Sequence, residues 1–248
     1  MNYLEYYEVC RKGKDPLADM RTFTHQILPF RFDVSEIRRT CFVNIDQIPA
    51  EDWIKKVPYK EEYLQLLMPI FDKLIPYLQD TVYCCPIMID KVYIYRTVPF
   101  GNRTSSALYH YDNTPPTMLK TIVYLNDVMD DSDGPIEFCG DLVKEPSRQG
   151  PRHWFAPPNN SRLTEGEVAP YPKVKIYGEA GIPTLFYPSN VHRANPPAEG
   201  RVRDVINIVT QPTLNENDRY NYISGHEENG SPLMDPRERR KLRRLSNA

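Results

Sequence analysis

His110-Tyr111-Asp112 sets an imidazole and a carboxylate two residues apart. On an extended backbone alternate side chains share a side, so the pair can face one divalent ion. His192 lies far downstream, and Arg203 follows it in an apolar, strand-like run. Two histidines and one carboxylate on one face of a metal leave the other face open, the facial arrangement that suits non-haem Fe(II). A lone histidine-x-acid pattern is weak, since His226-Glu227-Glu228 matches it in a polar, Gly-flanked tail. His110-Tyr111-Asp112 differs in coming at a strand end before a turn, where the mouth of a barrel would lie. His25 and His153 have no comparable neighbours.

The rest of the chain must position these groups. Its 248 residues suit one large domain, and 40% hydrophobic with 26% charged residues describes a globule with enough apolar material for a core. A net charge of −2 makes no global electrostatic case for nucleic acid or an anionic membrane. The 24 prolines disfavour long helices and predict short strands joined by long loops. Cys10, Cys41, Cys84, Cys85 and Cys139 have no metal-like spacing, and an odd set with two neighbours reads as reduced, mostly buried thiols. With no signal-like start and no run long enough to span a bilayer, the expectation is a cytoplasmic protein. The sequons at Asn102, Asn159 and Asn229 are then chance matches.

Tyr3, Leu4, Tyr7 and Val9 suggest a short helix, and Phe42-Val43-Asn44-Ile45 a brief strand. From Lys60 to Gln79 apolar residues recur at three and four, predicting a helix on the outside of a sheet, kinked or broken by Pro69 and Pro76. Strand character begins near Met88 and returns at Met118–Leu125, Ile136–Phe138, Lys173–Tyr177, Thr184–Tyr187 and Val202–Thr210. Asp127 to Asp133 reads as a solvated turn without calcium-loop spacing. Lys144 to Pro172 reads as a long, partly mobile loop of the kind that carries substrate contacts. After Pro212 the chain becomes polar and ends in a basic run from Arg237 to Arg244, read as a solvated tail. The expected organisation is a single domain over residues 1–248: a mixed N-terminal region to 87, a β core over about 88–212, and a polar extension.

The order His-x-Asp, distant His, then Arg resembles the Fe(II)/2-oxoglutarate-dependent dioxygenases, in particular the phytanoyl-CoA dioxygenase-like branch. His110 to Pro115, Leu119-Lys120, Tyr124-Leu125-Asn126-Asp127 and Gly134-Pro135 are similar to that branch's first metal-binding segment, and His192 to Arg203 to its second. The resemblance spans roughly residues 88 to 212. It implies a mainly β fold with flanking helices around a double-stranded β-helix, the jelly-roll or cupin-like core. It also implies Fe(II) on His110, Asp112 and His192, with 2-oxoglutarate and O2 as cosubstrates and a small molecule as substrate. Arg203 would take the far carboxylate of 2-oxoglutarate, because a guanidinium matches a carboxylate with two donors. Hydroxylation is the expected outcome, since related halogenases lack the carboxylate ligand.

Several positions stay open. Arg201 would share a regular strand's side with Arg203 and is its rival. The branch often carries a serine two residues after the distal histidine; Ala194 stands there, so another hydroxyl must serve, with Tyr95, Tyr93 and Thr97 as candidates. Phe138-Cys139-Gly140-Asp141 replaces a glycine-serine-histidine run often found after the acidic turn. Asn113 either touches the cosubstrate or shapes a turn, and Lys120 either reaches substrate or extends from a strand end. Two other functions fit the same residues: a cupin-type isomerase or hydrolase using Zn2+ without 2-oxoglutarate, and a non-catalytic binding module.

Overall fold

The computed structural model describes residues 25–51, 53–58, 60–101, 105–112, 117–143 and 162–213. The expected N-terminal helix, Cys10, Asn113, His153, the three sequons and the basic tail lie outside them.

Among the described residues nine strands form two antiparallel sheets. The strands are β1 (Gln26–Ile27), β2 (Ile54–Lys56), β3 (Ile87–Thr97), β4 (Leu119–Tyr124), β5 (Ile136–Val143), β6 (Lys173–Ile176), β7 (Pro183–Phe186), β8 (Asn190–Ala194) and β9 (Arg203–Pro212). The larger sheet runs β1-β7-β4-β9-β3-β2, and the smaller runs β6-β5-β8. Residues of both sheets meet in one apolar cluster containing Ile122, Tyr124, Ile136, Phe138, Ile176, Phe186 and Val205, so the sheets face each other as a jelly roll. A second and larger cluster covers the other face of the six-stranded sheet, where Val92, Ile94, Val123, Leu185, Ile206 and Ile208 pack under helices.

The period-2 rule therefore sorts the strands. On β9, Val205 joins the interior while Ile206 and Ile208 join the outer cluster. That is why the Val202–Thr210 run is apolar on both faces. On β4, Lys120, Ile122 and Tyr124 share the interior side, and Leu119 and Val123 the other.

The covering layer has two helices. α1 (Ser35–Cys41) has acidic Glu36 in its first turn and Arg38 and Arg39 in its last, matching the helix dipole, with Ile37 and Cys41 on its buried side. The brief strand expected at Phe42–Ile45 is absent. Phe42 ends α1, and Ile45–Gln47 forms a 3-10 turn. Val43, 73% exposed, has no strand beside it to supply the ladder that β structure requires.

α2 (Glu61–Leu78) is the predicted packing helix, and it continues unbroken past Pro69 and Pro76. Each proline costs about 3 kcal/mol in a helix interior. Burial of Tyr63, Leu67, Ile70, Phe71, Leu74, Ile75 and Leu78 opposes this at roughly 1.5–3 kcal/mol per side chain. Packing wins. A π-helical turn, Gln79–Tyr83, then ends the helix, and Cys84 takes a left-handed conformation before β3.

The acidic stretch is more ordered than a solvated turn. Asp130 and Asp133 form a capping box around a 3-10 turn, and Asp133 is buried. Gly134 follows at φ 73°, where a Cβ would lie 2.6 Å from Asn195 O, so only glycine lets β5 start against that segment. The described end of the expected 144–172 loop is also fixed. Leu163 N–H donates to Tyr109 O, and α3 (Glu165–Val168) is capped by Thr164 and Glu167. Among the described residues no helix is long and apolar enough to cross a membrane, and Cys41, Cys84, Cys85 and Cys139 are free thiols.

Candidate metal and anion site

His110, Asp112 and His192 come together, each offering a ligand atom within 4.8 Å of the others. Backbone pairing brings the histidines together. His110 N–H donates to His192 O and His192 N–H to His110 O, both at 2.8 Å. Asp112 N–H is tied to Pro188 O at 2.9 Å. His192 belongs to β8, whereas His110 makes only isolated bridges, to His192 and to Arg162. The strand expected to end at His110 is thus reduced to one paired residue.

Both imidazoles are oriented alike. His110 Nδ1 lies 2.8 Å from Leu108 O and His192 Nδ1 lies 2.7 Å from Asn190 O. A carbonyl only accepts, so each Nδ1 carries the proton and each Nε2 presents its lone pair, as metal-binding histidines require. Burial keeps both rings neutral. It pushes His110 down to about 3, with His192 adding to the effect, and it lowers His192 as well. Phe186 and Phe138 pack beside His192, with ring centroids at 5.3 and 5.8 Å. Burial pushes Asp112 up, but Lys120 and the two histidines outweigh it and hold the carboxyl well below the usual carboxylate range. Its oxygens lie 4.0 Å from His110 Nε2 and 3.8 Å from His192 Nε2. Two neutral nitrogen donors and one carboxylate suit a borderline divalent metal.

A cavity of about 90 Å³ extends from the two histidines to Arg203, lined also by Trp53, Tyr95, Ser106, Lys120, Ile122, Phe186 and Asn207. Register gives it a direction. Lys120 on β4 faces Val209 on β9, Ile122 faces Asn207, and Tyr124 faces Val205. Arg203 lies beyond that pair, opposite Thr97 on β3. The metal-ligand end and the guanidinium end are thus separated along the strands, with Ile122 and Asn207 between them.

Arg203 is the buried cation of this cavity. It is 2% exposed, yet among the described residues its guanidinium pairs with no carboxylate. Its polar contact is Nη1 to Asn195 O at 3.5 Å, and its Nε has no partner. A buried, unneutralised cation is costly, and a bound anion removes that cost. Trp53 Nε1, Ser106 Oγ and Asn207 Oδ1 line the same cavity and also have no hydrogen-bond partner among the described residues. Four unsatisfied polar groups around one cavity indicate a polar ligand.

The rival Arg201 is placed elsewhere. It precedes β9, its side chain is 60% exposed, and it pairs with Asp133 at 3.7 Å. Tyr95 and Thr97 line the cavity, and Tyr95 interacts with the Asn207 side chain. Tyr93 does not line it. Lys120 reaches Asp112 Oδ2 at 2.5 Å.

Trp53, Ser106 and Asn207 were not anticipated. Asn207 carried a signal, since it shares a strand face with Arg203 in an otherwise apolar run. Trp53, just before edge strand β2, and Ser106, in a 3-10 turn, had none.

No family model matches the chain, and no curated protein matches it. Solved structures do. The epimerase SnoN, determined with Fe3+, alpha ketoglutarate and nogalamycin RO, is 16% identical over 94% of this chain and 98% of its own, with a TM-score of 0.59. The non-heme alpha ketoglutarate dependent carbocyclase SnoK from nogalamycin biosynthesis is 16% identical over 91% and 96%, with a TM-score of 0.57. HygX from Streptomyces hygroscopicus, determined with nickel and 2-oxoglutarate, is 15% identical over 80% and 87%, with a TM-score of 0.54. This chain shares their jelly-roll fold.

Proposed function

We propose that the chain is an oxygenase using Fe(II), O2 and 2-oxoglutarate to oxidise an unactivated C–H bond of a small molecule. The observation that carries this reading is the pairing of a His-Asp-His cluster with a buried, anion-seeking Arg203 at the other end of one cavity. The solved structures add support, because SnoN and HygX hold a metal and the same keto acid on this fold. Fe(II) with 2-oxoglutarate and O2 supplies a two-electron oxidation of substrate, with succinate and CO2 released.

The chain's own residues then have distinct tasks. His110, Asp112 and His192 hold the metal through Nε2, one carboxylate oxygen and Nε2. Fixed Nδ1 contacts keep both rings aimed before the metal arrives. Arg203 takes the far carboxylate of 2-oxoglutarate, and Trp53 Nε1, Ser106 Oγ and Tyr95 supply the neutral donors that Ala194 lacks. Ile122 and Phe186 line the cavity and would shield the cosubstrate's apolar middle from water. Asn113, next to Asp112 in sequence and outside the described residues, is kept as a candidate cosubstrate contact.

Hydroxylation is the reaction we assign, within the phytanoyl-CoA dioxygenase-like branch, whose first metal segment His110 to Asp127 resembles. We assign the protein to the cytoplasm, a reading supported by the free thiols of Cys41, Cys84, Cys85 and Cys139. A metal-binding jelly roll without 2-oxoglutarate would leave Arg203 with no anion, and a non-catalytic module would leave both ends of the cavity unused.

The test is anaerobic addition of Fe(II) and 2-oxoglutarate with a visible spectrum. A weak charge-transfer band that disappears in Arg203→Ala is expected. Tight retention of Zn2+ with no band for the iron form would overturn the reading.

A further inference from the structure

Lys120 is positioned by two ladders at once. Its strand pairs with β9 on one side and β7 on the other, putting Lys120 opposite Val209 and Phe186. From there the ammonium reaches Asp112 Oδ2 at 2.5 Å, with both side chains largely shielded from water at 17% and 22% exposed. That oxygen is also the one nearest His192 Nε2, at 3.8 Å. The lysine and a metal would therefore draw on the same carboxylate. Lys120, expected either to reach substrate or to extend from a strand end, contacts the Asp112 carboxylate.

Charge counting shows the consequence. Before anything binds, Lys120 and Asp112 neutralise each other. A divalent ion on the triad claims the carboxylate and leaves the ammonium beside a dication in a low-dielectric cavity, where like charges repel strongly. Arg203 already contributes a second buried cation to the same cavity. Only an incoming anion restores the balance, and a keto acid with two carboxylates brings one for each end.

We propose that Lys120 is the internal counter-ion of Asp112, weakening metal binding by the cosubstrate-free site and turning to the metal-end carboxylate of 2-oxoglutarate once both are bound. This rests on the oxygenase reading above and adds a coupling to it. Metal and cosubstrate tighten each other's binding by the same factor, as linkage requires. The lysine makes each a poor ligand without the other, which limits capture of metal by a site with no cosubstrate to react.

The test is anaerobic calorimetric titration of the full chain with Co(II), with and without saturating 2-oxoglutarate, for wild type, Lys120→Met and Lys120→Arg. Lys120→Met keeps the apolar stem and removes the charge. It should bind Co(II) alone on the order of tenfold more tightly than wild type, and the tightening caused by 2-oxoglutarate should shrink by the same factor. Lys120→Arg keeps the charge and should retain weak binding of Co(II) alone. Weaker binding of Co(II) by Lys120→Met would overturn the proposal, making Lys120 an orienting group for Asp112; an unchanged coupling would overturn it too. The underlying reading fails separately, if wild type takes up no stoichiometric Co(II) or if Arg203→Ala binds 2-oxoglutarate as well as wild type.

Discussion

Arg203 and Asp204 are adjacent, both buried and oppositely charged, yet they serve opposite faces of one sheet. Asp204, 0% exposed, points under α1 and is saturated: Arg96 binds it through two nitrogens at 2.7 and 2.9 Å, and Arg38 through Nε at 2.9 Å. Arg203 points into the jelly-roll interior, where among the described residues it has a 3.5 Å contact with Asn195 O and an unpartnered Nε. Both charges lost their water on folding. One is neutralised by the protein itself, and that face is structural. The other pairs with no carboxylate among the described residues, and on that the proposed anion contact rests. Unsatisfied buried charge, not burial of charge, separates a site from a scaffold.

The largest expected effects probe the open face. His192→Ala and Asp112→Ala should each abolish stoichiometric metal binding in equilibrium dialysis while leaving the cooperative thermal transition in place; uptake by either variant would dissolve the distinction between the faces. Asp204→Ala should lower stability by about 2 kcal/mol in urea unfolding, because Arg96 keeps only its longer contact with Asp46 and Arg38 loses its carboxylate partner. Co(II) affinity of the folded fraction should not change. Arg203→Ala should reverse that pattern, weakening 2-oxoglutarate by about 2 kcal/mol in calorimetry, the loss of a charge-assisted contact. Its stability should equal or exceed that of wild type, since a buried unpaired charge disappears. Tyr95→Phe is the finest test. Removing one neutral hydroxyl should weaken 2-oxoglutarate by about 1 kcal/mol, and no change would assign the neutral contacts to Trp53 and Ser106.

Periodicity made much of this legible. The apolar, β-branched run Val202–Thr210 located β9 with Arg203 inside it, and the three-and-four spacing located α2. The two-residue offset put His110 and Asp112 on one side of an extended chain, and the order His-x-Asp, distant His, then Arg, with the family it resembles, added His192. Local rules failed where packing overrode them. Pro69 and Pro76 should interrupt α2, and Phe42–Ile45 should extend; the first is carried by burial against the sheet, and the second lacks a neighbouring strand. Trp53 and Ser106 were illegible, since short edge and turn segments carry no period.

The chain's residues by themselves determined the donor types, the β-rich core and which positions along each strand share a face, because alternation is a property of local backbone geometry. Only the tertiary structure decided that Arg203 and not Arg201 enters the cavity, since the strand begins at Arg203 and Arg201 remains in solvent. It alone brought Lys120 onto Asp112, and Trp53 and Ser106 into one cavity with Asn207. Those contacts join residues from different strands and turns, and their distances follow from sheet order and register, which no local pattern encodes.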